Sequence, residues 1–125
     1  VYPPEYSISI WSKNGNLTVQ LTRAFQQALE ARFKGTRQVQ DYAEMLGVTS
    51  NHLVKTVREI TSMTPKQMLQ ERLLLEAKRL LAHTPYPVVQ ISELLQYPTS
   101  TGFARWFKKQ AGQTPSEFRK RPFAR

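Results

Sequence analysis

GFARWFKKQAGQTPSEFRK, residues 102–120, is repeated more faintly by HLVKTVREITSMTPKQMLQ, residues 52–70. Leu53 falls on Phe103, Lys55 on Arg105, Val57 on Phe107, Arg58 on Lys108 and Thr64-Pro65 on Thr114-Pro115, each pair fifty positions apart. An offset kept by apolar and basic positions together predicts one structural unit used twice.

The surroundings of each copy have a helical grammar. Upstream of the first copy, Thr36 is placed to cap a short helix running to about Leu46, where Gly47 tolerates positive φ. Thr49 or Ser50 then caps a second helix with Leu53, Val57 and Ile60 on one side. Helix, glycine turn and helix make a helix-turn-helix pattern. The second copy starts at Val88-Val89 and runs through Ile91, Leu94 and Leu95 to a turn at QYPT. A helix from Ser100 to about Ala111 follows, with Phe103 and Phe107 inward. Its first helix aligns at an offset of 49 and its second at 50, so the second turn is one residue longer. Both copies end in a helix start signal, Thr64-Pro65 with Gln67 and Thr114-Pro115 with Glu117, which has the form of a capping box with proline at the first helical position.

Between the copies, TPKQMLQERLLLEAKRLLAH predicts a long helix over about 65–83, stopped by Pro85 and Pro87. Met68, Leu69, Leu73, Ala77, Leu80 and Leu81 supply its apolar face. At ~1.5 Å per residue, about eighteen residues span about 27 Å. An earlier helix near 17–34 is predicted by Leu21, Phe25, Ala28, Leu29 and Phe33. Residues 1–16, with Pro3-Pro4 and Asn14-Gly15, look like a linker or the remnant of an upstream domain, and Val1 in place of Met suggests a piece of a longer protein. The expected fold is all-α, with two helix-turn-helix subdomains joined by a long linker helix; residues 17–125 form the domain, the first motif spanning about 36–62 and the second about 88–121.

Composition narrows the function. The 125 residues suffice for one compact domain or two very small ones. The net charge is +9, and it is uneven: residues 1–50 carry five basic and four acidic residues, whereas residues 51–125 carry thirteen and five, so +8 belongs to the duplicated region. A basic surface of this kind points to phosphate backbones as partners. Cysteine is absent, which removes disulfides and thiolate chemistry. No signal peptide, membrane span, phosphate loop, His-Glu-x-x-His motif or nucleophile elbow is present, so neither catalysis nor a metal or cofactor site is expected, and a cytoplasmic location is. A recognition helix fits the major groove, and successive grooves on one side of B-DNA lie about 34 Å apart, so two motifs on a stiff spacer suit two half-sites read by one chain. Two alternatives are a helical protein-interaction module and a non-specific architectural DNA binder.

The region 37–121 also resembles the DNA-binding region of AraC/XylS-type bacterial transcription regulators, through YAEMLGVTSNHLVKTVRE, LLLEAKRLL and FARWFKKQAGQTPSEFR. The resemblance implies sequence-specific binding to double-stranded promoter DNA, directed by an upstream sensor or oligomerisation domain, with RNA polymerase as a further partner. Carried over by position, it implies base contacts from Asn51, Val54 and Lys55 in the first motif and from Ser100, Thr101 and Arg105 in the second. Asn51 suits adenine, Lys55 and Arg105 suit guanine or phosphate, and Val54 suits a thymine methyl group. Ser50, His52, Thr56, Lys108 and Lys109 are assigned to phosphate, with helix packing as the other reading of His52. Arg119, Lys120 and Arg121 join Lys108 and Lys109 in a general electrostatic face, Trp106 is read as packing, and His83 is given no role.

Three departures from the family pattern bear on the second motif and on the end of the first. Gln96-Tyr97 stands where Gly-Phe is usual, so a glycine-favouring position accepts a side chain at a cost of about 1 kcal/mol. Gly102 occupies a recognition-helix site usually held by a larger residue. Ser62 replaces the glycine that commonly precedes x-Thr-Pro.

Overall fold

The computed structural model describes residues 17–121; the linker or remnant reading of 1–16 falls outside the described residues. Among the described residues there are seven helices: α1 (Leu17–Arg32), α2 (Val39–Leu46), α3 (Ser50–Thr61), α4 (Pro65–His83), α5 (Val88–Leu94), α6 (Ser100–Ala111) and α7 (Pro115–Lys120). No helix among them is long and apolar enough to cross a membrane. The chain divides into two compact units, one ending at Gln70 and the other beginning at Glu71, so the boundary falls within α4.

In the first unit, α1 packs on α2 and α3. Its i, i+3, i+4 pattern buries Leu21, Ala24, Phe25, Ala28 and Leu29, and α2 and α3 contribute Tyr42, Ala43, Met45, Leu46, Leu53 and Val57. Phe25 meets Tyr42 edge to face at 5.5 Å between centroids. The buried Tyr42 hydroxyl donates to the Thr36 carbonyl at 2.7 Å, and burial raises its pKa above the usual phenol range. Thr36 is not the cap expected of it. Gln38 occupies that place without a side-chain bond, and α2 starts at Val39. Ile60 is 44% exposed although it shares the azimuth of Leu53 and Val57, which marks where along α3 the core ends.

In the second unit one cluster holds Ala77, Leu80 and Leu81 of α4, Ile91 and Leu95 at α5, Phe103 and Phe107 of α6 and Phe118 of α7. Leu94 lies off this inward arc and is exposed. Trp106 packs against the cluster, as read from sequence, with Tyr97 beside it at 5.5 Å and Phe103 at 6.1 Å. Glu76 of α4 is buried, and its carboxylate accepts from Arg79 through Nε at 3.1 Å and Nη2 at 2.7 Å, with Arg72 at 3.7 Å. A buried carboxylate is tolerated because a guanidinium fork meets both oxygens.

The repeat extends to individual hydrogen bonds. Thr49 and Thr99 cap α3 and α6, the second helix of each motif, accepting from the N–H of His52 at 3.1 Å and of Gly102 at 2.9 Å. Thr64–Gln67 and Thr114–Glu117 form reciprocal capping boxes, each with bonds of 2.8 and 3.1 Å. At the ends of α2 and α5, Val48 N–H reaches Ala43 O at 3.0 Å and Tyr97 N–H reaches Ser92 O at 2.9 Å, a Schellman-type closure at an offset of 49. That closure needs a left-handed residue, Gly47 at φ 72° in one unit and Gln96 at φ 58° in the other. After the recognition helices the same need is met by Ser62 at φ 65° and Gly112 at φ 81°. Each unit thus has, among the described residues, two left-handed positions, of which one is a glycine.

Replacing Ser62 or Gln96 by glycine is expected to raise stability by about 0.5–1 kcal/mol each, since a side chain in the left-handed region is strained; urea unfolding of the single variants checks this. The hydrogen bonds from Thr114 hold the Glu117 carboxyl below its ordinary value. A depressed carboxyl contributes stability that is present above the unfolded-state value near 4.5 and is lost as pH falls through the lower folded value. Gln67, the counterpart of Glu117, does not titrate, so Glu117→Gln should retain the box and flatten the acid limb of a pH-stability curve.

Candidate nucleic-acid interface

The two helices that follow the turns, α3 and α6, are each held at both ends by the caps above and along one side by the core. What they present outward is set by the remaining arc. On α3, Asn51, Lys55 and Arg58 are exposed and Val54 is half-buried; their i, i+3, i+4, i+7 spacing puts them on one stripe. Asn51, Val54, Lys55, Arg58 and Glu59 line one open recess on that face. On α6 the same offsets give Thr101, Ala104, Arg105 and Lys108, with Thr101, Arg105 and Lys108 exposed and Ala104 half-buried. Lysine and arginine have exchanged places between the stripes: Lys55 corresponds to Arg105, and Arg58 to Lys108.

Five of the six residues assigned to bases, Asn51, Val54, Lys55, Thr101 and Arg105, fall on these stripes. Ser100 and its counterpart Ser50 are half-buried at the first position of their helices, beside the capping threonines. The His52 side chain is exposed, and Lys109 is exposed next to its stripe. Thr56 is only 5% exposed and lies on the inward side of α3 with Leu53 and Val57. The repeat offered a warning, because residue 106, its counterpart, is the packing tryptophan.

The basic residues separate by what their donors already hold. Arg79 is committed to Glu76, and Arg37 donates to the Lys34 carbonyl at 2.9 Å. Arg119 donates to two backbone carbonyls, Leu81 O and Thr84 O. Lys55, Arg58 and Arg105 have no intramolecular side-chain partner among the described residues and keep their full donor sets for a ligand. Arg58 is the residue that reading the sequence passed over; its alignment with Lys108 and its place seven residues after Asn51 were the available signals.

On α6 the cap meets an unusual neighbour. Gly102 donates to Thr99 Oγ1 at 2.9 Å, and a Cβ at this position would lie 3.0 Å from the same oxygen. His52 in the first unit makes the same backbone bond while carrying a side chain, so the motif accepts one with a small shift. The bare Gly102 leaves the start of the second recognition helix open to close approach. Among the described residues no group of three or more His, Cys, Asp or Glu side chains is gathered as a metal would need.

Comparison with known proteins agrees with this geometry. A family model described as a helix-turn-helix domain matches residues 42–121. The Msm operon regulatory protein of Streptococcus mutans is 22% identical over 116 residues, 93% of this chain, and the chain spans 42% of that relative's length. Among solved structures, the C-terminal domain of AraT, a response regulator from Geobacillus stearothermophilus, superposes with a TM-score of 0.75 at 24% identity, over 83% of this chain and 87% of that one. The DNA-binding domain of AdpA, a global transcriptional factor solved in complex with a target DNA, gives 0.69 at 22% identity, over 82% and 97%. With a matched region that runs through both motifs, the chain belongs to the AraC-type helix-turn-helix family of DNA-binding transcription regulators.

Proposed function

We propose that this chain is the sequence-reading part of a bacterial transcription regulator, with α3 and α6 each entering a major groove of promoter DNA, in adjacent grooves. The observation that carries the reading is the recurrence, fifty residues apart, of an N-capped helix with an outward stripe of polar and basic side chains whose donors are unspent. Asn51 has the donor and acceptor for an adenine edge, Arg105 the paired donors for a guanine edge, and Lys55 donors for guanine or phosphate. Val54 offers an apolar contact to a thymine methyl group. The helix starts at Ser50 and Ser100 add backbone N–H groups directed at phosphate oxygens.

The first stripe carries longer side chains than the second. Thr101 reaches a base edge only at close approach or through water, and Ala104 only at the close approach that Gly102 permits. We assign sequence preference in the second half-site mainly to Arg105, and backbone holding to Lys108, Lys109 and Arg58. The domain extends over residues 17–125 in this reading. It works in the cytoplasm under the direction of a sensor or oligomerisation region elsewhere in the full-length protein, and RNA polymerase is its further partner.

Selection from a random duplex library at near-physiological salt is expected to yield a bipartite motif with half-sites about one helical turn apart. Binding that ignores sequence would mean an architectural DNA binder, and no binding to duplexes with weak salt dependence would favour a protein-interaction module. On the selected duplex, Arg105→Ala should cost roughly 1–3 kcal/mol and relax the preference at one position of the second half-site. Arg58→Ala should weaken all duplexes alike and lower the salt slope by about one.

A further inference from the structure

The segment Thr84-Pro85-Tyr86-Pro87 follows α4 and leads into α5. Within α4 the ladder continues to its last member, where Thr84 N–H reaches Leu80 O at 3.1 Å. The next donor in register would be the N–H of residue 85, directed at Leu81 O. Residue 85 is proline and has none. Pro87 likewise withholds the i+3 donor from Thr84 O. Two carbonyls at a helix C-terminus, where partial negative charge accumulates, are therefore left without backbone partners. Both are met by one side chain from 35 or more residues away: Arg119 donates to Leu81 O through Nε at 3.1 Å and to Thr84 O through Nη2 at 3.2 Å.

Arg119 lies in α7, and its neighbour Phe118 is locked in the core edge to face with Phe107 of α6 at 5.6 Å. The ammonium of Lys78 lies 5.8 Å over the Phe118 ring, adding a second tie between α4 and α7. The path from the end of α4 to the second recognition helix is thus short and continuous: Leu81 and Thr84, the Arg119 guanidinium, α7, Phe118, Phe107, α6. The same fork fixes Thr84, four residues before α5 begins.

We propose that Arg119 is a positioning residue that replaces the backbone donors removed by Pro85 and Pro87, and in doing so sets the second recognition helix for base discrimination. It acts without touching DNA. The donor replacement stands on the geometry of the chain, while the consequence for discrimination rests on the DNA-reading function proposed above.

The test is a mutant cycle on the full chain, read by thermal unfolding and by binding to the selected duplex. Arg119→Gln is expected to lower Tm by roughly 5–10 °C, the scale of two charge-assisted bonds at a helix end. Adding Pro85→Ala to that variant should return part of the loss, because residue 85 regains an N–H in register with Leu81 O. In the wild-type background the same change should give no gain, since that carbonyl is already occupied. On DNA, Arg119→Gln should reduce discrimination at the second half-site about tenfold while leaving the first half-site and the salt slope unchanged. Arg119→Lys, which retains the charge without the fork, should behave like the glutamine variant.

Absence of rescue by Pro85→Ala, wild-type behaviour of Arg119→Lys, or a salt slope lowered by about one with an unchanged Tm would each overturn the proposal, the last making Arg119 a phosphate contact. A lowered Tm with undiminished discrimination would reduce it to a structural residue. A wild-type chain that shows no sequence preference would sink the DNA-reading function instead, and the unfolding cycle, which needs no DNA, would still decide whether Arg119 replaces the missing donors.

Discussion

Short helices have proportionally many ends, and every end leaves backbone donors or acceptors that must find partners. That requirement governs this protein more than the size of its core does. Among the described residues, α2, α5 and α7 have eight, seven and six residues, too few to be stable as isolated helices. Four threonines, at 49, 64, 99 and 114, close N-termini by accepting from the N–H three residues on. Left-handed residues close the C-termini at 47, 62, 96 and 112. With ends fixed in this way, the apolar sides of α3 and α6 can be committed wholly to their cores, and the outward sides are held at a defined azimuth.

The same economy of donors explains how a chain of net charge +9 presents a patterned surface instead of a diffuse basic one. Guanidinium groups are spent where a carboxylate or carbonyl would otherwise be left bare, at Glu76, Lys34, Leu81 and Thr84. Lys55, Arg58, Arg105, Lys108 and Lys109, on or beside the outward stripes of α3 and α6, are among the groups left available. Electrostatic attraction to phosphate falls off with salt and carries no sequence information, whereas a fork held at a fixed azimuth can meet a particular base edge. The rigid caps therefore matter to specificity as much as to stability.

Much of this was legible in the sequence, because its decisive signals are local. The fifty-residue offset, the Thr-Pro starts, the linker helix to His83 and the inward Phe103 and Phe107 all follow from spacing and cap chemistry, and the glycine-favouring site at Gln96 was visible as a departure from the family pattern. What was not legible lies beyond one helix turn. Thr36 has the side chain of a cap, but Gln38 stands in that place, and the Thr36 carbonyl receives the buried Tyr42 hydroxyl. Thr56 is a hydroxyl on a helix of polar neighbours, and its burial with Leu53 and Val57 is seen only in the packed unit. Arg119 looked like one more exposed cation in a basic tail, because the carbonyls that hold it are 35 and 38 residues earlier.

The placement of the glycines has a consequence for how the two copies can diverge. In the first unit the permissive residue precedes the recognition helix, at Gly47; in the second it follows it, at Gly112, where an added side chain would meet no atom within 4 Å and backbone conformation alone sets the penalty. Ser62 and Gln96 already bear the left-handed strain and can be exchanged for other residues at little further expense. A duplicated motif built on the same hydrogen bonds has thus acquired opposite patterns of mutational tolerance, with the turn free to vary in one copy and the helix exit free to vary in the other.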